Sequence, residues 1–153
     1  MTRKGNLILY GTQTGTAEDL GGELQEALEE MGVKAGCENV FDIEMSRLSE
    51  VERVFVLIST WGDGDPPDDA EGFCEWLEEC DSGALNGLEY GVFGLGDSGY
   101  EQFCECGKFV DAKMEAAGGR RILERVDCDI DIDGPFAAWL ELVKQSFGVP
   151  AIS

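Results

Sequence analysis

Leu7-Ile8-Leu9-Tyr10 is a short, unbroken apolar run, followed at once by Gly11-Thr12-Gln13-Thr14-Gly15-Thr16-Ala17. Beyond that turn, Ala17, Leu20, Leu24, Ala27, Leu28 and Met31 recur at helical spacing until Gly32 stops them. An apolar run without polar alternation suits a strand buried on both faces. A buried strand feeding through a glycine turn into an amphipathic helix is the opening of a βαβ unit, with Thr16 as the expected helix cap.

The pattern repeats outward from that unit. Val54 to Ile58 and Tyr90 to Leu95 are again nearly continuous apolar runs, predicting interior parallel strands. Val33 to Val40 and Ile122 to Cys128 mix apolar with polar residues, as sheet edges do. Between them, Ala70, Phe73, Cys74, Leu77 and Cys80 predict a second helix after Pro66-Pro67. Phe103, Gly107, Val110, Met114 and Ala117 predict a third, ending before Gly118-Gly119. Phe136, Trp139, Leu140, Val143 and Phe147 predict a last helix, opening after Gly134-Pro135 and closing at Gly148. Phe41 to Glu52 reads either as a short helix or as an irregular crossover. Strand and helix alternate through five units with no repeat or linker. The expectation is one α/β domain over residues 1–153, a doubly wound parallel sheet with helices on both faces.

Charge narrows the function. The 153 residues hold 32 acidic and 11 basic side chains and no histidine, a formal net charge of −21. A field of that sign repels nucleic acid and anionic membrane surfaces and favours a basic partner. No apolar run approaches the roughly 20 residues of a membrane span, and Met1-Thr2-Arg3-Lys4-Gly5 leads straight into a strand rather than a signal core, so a cytoplasmic protein is expected. Without histidine there is no Ser-His-Asp or Cys-His centre and no Cys/His zinc site. The six cysteines include no C-x-x-C pair and read as reduced packing residues.

In doubly wound sheets ligands bind beyond the carboxyl ends of the strands, where the strand order reverses. Three loops therefore matter. The first, Gly11 to Ala17, can cradle a phosphate through backbone N–H groups, the helix dipole and the hydroxyls of Thr12, Thr14 and Thr16, without a lysine. It is neither a Walker A loop nor a G-x-G-x-x-G turn, so ATP and NAD are poorly supported. Taken alone, its threonines also suit a plain cap and turn. The second loop is Ser59-Thr60-Trp61-Gly62-Asp63-Gly64-Asp65-Pro66-Pro67-Asp68 and the third Gly94-Leu95-Gly96-Asp97-Ser98-Gly99-Tyr100. Each carries one aromatic among glycines and carboxylates, either a loop anchor or one half of a sandwich around a planar ring.

These three segments, extended at the last through Glu101-Gln102-Phe103, resemble the flavodoxin family, and the resemblance covers the chain from Asn6 to about Phe147. It implies a five-stranded parallel sheet of order 2-1-3-4-5, the short-chain type, binding FMN non-covalently. Thr12, Gln13, Thr14, Gly15, Thr16 and Ala17 would hold the phosphate; Trp61 and Tyr100 would stack on opposite faces of the isoalloxazine; Asp97 would border its edge. Ser59, Thr60, Gly62, Asp63, Gly64, Gly94, Leu95, Gly96, Gln102 and Phe103 would complete the binding loops. Two departures stand out: Ala17 occupies a position where many bacterial flavodoxins have threonine, and Gly64-Asp65-Pro66-Pro67-Asp68 looks more like the FMN domain of diflavin reductases.

The resemblance implies a low-potential one-electron carrier, not an enzyme, cycling between semiquinone and hydroquinone. The flavin performs the redox chemistry and the protein tunes it. Gly62 would let its peptide turn toward reduced flavin N5–H. Asp63, Asp65, Asp68, Asp69, Asp97, Asp129, Asp131 and Asp133, expected on loops at one end of the sheet, would disfavour the fully reduced anion. Basic redox proteins would dock transiently on a monomer. Three other readings compete. A phosphorylation-controlled receiver lacks its acidic cluster, aspartate and lysine at the strand ends. An FMN-dependent NAD(P)H:quinone reductase lacks an obvious basic pocket for the dinucleotide. A detached FMN domain of a diflavin reductase sits less well with the capped final helix and short tail than a free-standing protein does.

Overall fold

The computed structural model describes residues 5–11, 15–59, 70–95, 105–128 and 132–147. In chain order the elements are β1 (Asn6–Gly11), α1 (Thr16–Glu30), β2 (Ala35–Asn39), a short 3-10 helix (Met45–Ser49), β3 (Arg53–Ser59), α2 (Glu71–Glu79) and β4 (Glu89–Leu95). There follow α3 (Glu105–Ala116), β5 (Arg120–Arg121), β6 (Val126–Cys128) and α4 (Asp133–Ser146). The strands run parallel in the order β2-β1-β3-β4-β5, and β6 also pairs with β4, continuing the fifth position of the sheet.

Side chains of the central strands alternate between two cores. Leu7, Leu9, Val54, Val56, Ile58, Tyr90 and Val92 face one, together with Phe73 and Leu77 of α2 and Val110 and Met114 of α3. Ile8, Phe55, Leu57, Phe93 and Leu95 face the other, with Leu20, Leu24 and Leu28 of α1 and Phe136, Trp139 and Val143 of α4. Burial on both faces is why these strands read as continuous apolar runs. Under α4 the aromatics interlock, with Phe93–Trp139 centroids 5.3 Å apart and Phe93–Phe136 5.6 Å apart at 87°.

Four sequence expectations are corrected. The fifth strand is not continuous over Ile122 to Cys128: it divides into β5 and β6. Leu123 is buried in the second core against Gly91, and Arg125 reaches Asp111 on α3. Thr16 is the first residue of α1 rather than its cap, which is Gly15 at φ 90°. Helix α4 opens at Asp133, so Gly134 and Pro135 lie inside its first turn, where a missing N–H costs nothing. Asp133 is accordingly helical rather than a loop carboxylate. The Phe41 to Glu52 segment, open on sequence, contains the 3-10 helix Met45–Ser49.

Of the cysteines, Cys37, Cys74, Cys80 and Cys128 are outside any disulfide and are buried or half-buried. Burial, with Glu18 and Glu38 nearby, pushes the Cys37 thiol above its usual range. No helix among the described residues is long and apolar enough to cross a membrane.

Candidate functional site

The strand order reverses between β1 and β3. From β1 the chain crosses by α1 to β2 over one face, and from β3 it crosses by α2 to β4 over the other. Gly11 at the end of β1 lies opposite Ile58, and Ser59 at the end of β3 lies opposite Leu95 at the end of β4. Three adjacent strands thus finish nearly level, so the three candidate loops leave the sheet side by side. That is the crevice in which open α/β sheets hold their ligands.

The first loop delivers the chain to the N-terminus of α1. Gly15 stands in the left-handed region, which an L side chain rarely adopts, and a Cβ there would meet open space. No side chain caps the helix from that position, and the positive end of the α1 dipole faces the crevice. Thr16 is half-buried beside it, whereas the Ala17 methyl is wholly buried in the core shared with Ile8 and Leu20. What Ala17 can offer an anion is therefore its backbone N–H; a hydroxyl there would be drawn into the core. Residues 5–33 contain no lysine or arginine. The donor set is amide, hydroxyl and helix dipole, which fits a phosphate monoester held by hydrogen bonds rather than by ion pairing.

The third loop leaves β4 at Gly94 and Leu95. Helix α3 approaches that strand very closely: a Cβ on Gly107 would stand 3.0 Å from the Gly94 Cα. Both ends of this loop are therefore tied to a close backbone contact, and Leu95 points into the second core at 6% exposure. Ser59 ends β3 where the second loop begins. Gly15, Thr16, Ala17, Ser59, Gly94 and Leu95 are thus brought to one end of the sheet. Thr12, Gln13, Thr14, Thr60, Trp61, Gly62, Asp63, Gly64, Gly96, Asp97, Tyr100, Gln102 and Phe103 lie outside the described residues, as do Asp65, Asp68, Asp69, Asp129 and Asp131.

Sequence reasoning missed a charged hub on the fifth-strand edge. The buried Asp111 carboxylate of α3 accepts from Arg121 at 2.8 and 3.0 Å and from Arg125 at 3.0 Å. Arg125 also donates to Asp127 of β6 at 2.7 and 3.1 Å. The Tyr90 hydroxyl donates to the Asp111 carbonyl at 3.1 Å. Burial, reinforced by the Asp111 charge, holds the Tyr90 phenol far above its ordinary pKa. Hydrogen bonding to Asp111 raises that of Arg121, and hydrogen bonding to Asp127 raises that of Arg125. The hub pins both halves of the divided fifth strand to α3. Three arginines within six residues, 120 to 125, were the signal in the sequence, but nothing there named Asp111 as their partner.

Comparison with known proteins agrees with this geometry. The family model for flavodoxin matches residues 8–139. The chain is 42% identical over 138 residues, 90% of its length, to the sulfite reductase [NADPH] flavoprotein alpha-component of Bacillus subtilis, of which it covers 23%. It is 36% identical over 161 aligned positions, 98% of its length, to the human NADPH–cytochrome P450 reductase, covering 24% of that protein. The chain thus spans about a quarter of the length of these curated relatives. Among solved structures, a flavodoxin from Streptococcus pneumoniae TIGR4 superposes with a TM-score of 0.82 at 25% identity, covering 94% of this chain and 99% of that one. Oxidised Flavodoxin 2 from Bacillus cereus gives 0.81 at 22% identity, over 94% and 99% of the two chains, a likeness of fold. On the match of the family model to most of its length, borne by a sheet of the same topology, this chain belongs to the flavodoxin family.

Proposed function

We propose that this chain is an FMN-dependent carrier that passes single electrons at low potential between basic redox partners. Membership in the family makes it an electron-transfer flavoprotein with FMN as its cofactor. The observation that carries the finer reading is the coincidence of the strand-order reversal with three level strand ends and a positively polarised helix N-terminus.

The FMN, when bound, supplies the one-electron chemistry. In this reading the segment 12–17 holds the phosphate through its amides and the hydroxyls of Thr12, Thr14 and Thr16. Trp61 and Tyr100 cover the ring, and Ser59 to Gly64, Gly94 to Asp97, Gln102 and Phe103 shape its surround. Asp63 and Asp97 keep negative charge near the ring, which disfavours adding more and so lowers the potential. For scale, about 59 mV corresponds to about 1.4 kcal/mol for one electron. No acid, base or nucleophile is required of the chain. The net charge of −21 steers cationic partners toward the molecule, giving fast and weak docking. The protein is taken to be a monomeric single domain in the cytoplasm, with no enzymatic turnover of its own.

The test is an absorption spectrum of purified protein during stepwise reduction, followed by reconstitution of the apoprotein with FMN or riboflavin. A yellow oxidised protein, a distinct intermediate spectrum during reduction and a strong preference for FMN support the reading. A colourless chain that takes up no FMN ends it.

The 42% identity to a reductase flavoprotein favours a second reading, in which the chain serves as the FMN module of a larger reductase system. Steady-state NADPH oxidation separates these from a self-sufficient quinone reductase. A carrier or an isolated module consumes NADPH only when a flavin reductase partner is added; turnover by the holoprotein alone would assign it the enzyme's role.

A further inference from the structure

Helices α1 and α4 lie over the same face of the sheet, and between them runs an open groove of about 380 Å³. Leu20 and Ala27 of α1 and Phe136 and Leu140 of α4 give it an apolar floor. Exposed Glu23, Glu26 and Glu30 stand along one wall and Asp133 on the other. We propose that this groove is a docking site for a cationic amphipathic helix of a partner protein.

The dimensions and the charge both select that occupant. From Leu20 to Glu30 the wall is about 15 Å long at 1.5 Å per residue, the length of roughly ten helical residues. Glu23, Glu26 and Glu30 stand at i, i+3 and i+7, the spacing of one helix edge. A partner helix lying alongside, with Lys or Arg at matching intervals and Leu-like side chains on the adjoining stripe, meets each carboxylate while filling the floor. No lysine or arginine lines the groove, and none of its four carboxylates forms an ion pair among the described residues. A second copy of this chain is opposed by its own net charge of −21 and finds no cation here to meet. The recess at Asp111, Arg121, Glu124 and Arg125 makes a useful contrast. It has little apolar lining, and Asp111 is already paired with both arginines, so it asks nothing of a partner.

Position gives the groove its consequence. Both helices start at the end of the sheet where the candidate loops leave it, and the groove runs down their flank. A helix seated there holds the partner by the side of the molecule and leaves the ends of β1, β3 and β4 uncovered. The inference goes beyond the carrier reading and does not depend on it, since binding is read without any redox measurement.

The experiment uses the whole chain, isotopically labelled, and a capped 14-residue helical peptide with lysines on one stripe and leucines on the next. Amide shifts map the site and fluorescence anisotropy at low salt gives the affinity. Perturbations concentrated in residues 20–30 and 133–140 are expected. A peptide of identical composition with the stripes scrambled should bind at least tenfold more weakly. The triple variant E23Q/E26Q/E30Q should weaken binding at least tenfold, and Ala137→Trp, which fills the groove without changing charge, should do likewise. The triple variant E71Q/E75Q/E78Q removes the same charge from exposed positions on α2 and should stay within twofold of the parent. No binding, shifts elsewhere, equal binding of the scrambled peptide, or an equal loss in the α2 variant would each overturn the proposal.

Discussion

Asp111→Ala removes from α3 a carboxylate that is 3% exposed and receives three guanidinium N–H bonds, two from Arg121 and one from Arg125. Breaking a buried ion pair from one side costs roughly 3–5 kcal/mol, because charge is left behind without compensation. Here the stranded groups are not fully buried: the Arg121 side chain is 32% exposed and keeps Glu115 at 3.3 Å, and Arg125 is 28% exposed and keeps its two bonds to Asp127. Water and these second partners recover part of the loss, so the expected destabilisation is about 2.5 kcal/mol. For a domain of this size that corresponds to a fall in Tm of about 5–10 °C. Equilibrium urea unfolding followed by far-UV circular dichroism measures it, with the m-value unchanged if the native state stays compact. Asp111→Asn, which keeps shape and acceptor but loses charge, should fall between parent and alanine variant. A loss below about 0.5 kcal/mol for Asp111→Ala would mean that the hub is a solvated surface cluster, and the account of how the divided fifth strand is held would fail.

Three further outcomes follow from the packing. Tyr90 is held neutral in the folded state, so the unfolded chain loses that proton first. Stability from this group is intact below about pH 10, the usual phenol value, and declines as pH rises beyond it; a spectrophotometric titration should show one of the three tyrosines ionising only on unfolding. Gly107→Ala would gain about 1 kcal/mol in an ordinary exposed helix, but here its Cβ would press on the Gly94 backbone. The expected sign is reversed, a loss of about 1–3 kcal/mol in urea unfolding with weaker FMN binding by fluorescence titration. Trp139 is fully buried with its indole N–H unpaired, so Trp139→Phe should lose less than about 1.5 kcal/mol while Trp139→Ala loses about 3–5 kcal/mol.

The parts of the fold legible in the sequence were those fixed by burial. Leu7 to Tyr10, Val54 to Ile58 and Tyr90 to Leu95 fall inside β1, β3 and β4, because a strand covered on both faces tolerates no polar alternation. What escaped reading depends on partners distant in the chain. The break between β5 and β6 is made by Arg125 finding Asp111 fourteen residues earlier and by Leu123 packing over Gly91, neither of which leaves a local pattern. The start of α4 was displaced because Gly134-Pro135 reads as a breaker, although proline is well suited to a first turn. In the candidate site, chemistry placed the glycine turn at a helix start but took Thr16 for the cap that Gly15 provides, while Ala17 shows the limit of reading residue by residue. Adjacent to Thr16 in the chain, it turns its side chain into the opposite environment, since neighbouring helical positions are about 100° apart.

In the proposed reading, a phosphate cradle without cations on a chain of net charge −21 sets two electrostatic demands against each other. Attraction at the α1 N-terminus acts through hydrogen bonds of about 3 Å and a dipole that fades within the first turn, whereas repulsion from the carboxylates is summed over the whole surface. At physiological ionic strength charges more than about 8 Å apart are largely screened, so short-range donors prevail and an anion can be held. Salt must therefore act in opposite directions on the two kinds of ligand. Raising ionic strength from about 10 mM, where the screening length is about 30 Å, should strengthen FMN binding, because it removes repulsion and leaves the hydrogen bonds. The same change should weaken and slow association with a cationic redox partner, whose attraction is the long-range part. Titrating apoprotein with FMN and following stopped-flow electron transfer across one salt series reads both slopes. Slopes of the same sign would mean that the phosphate is held by ion pairing after all, and the cation-free cradle would have to be abandoned.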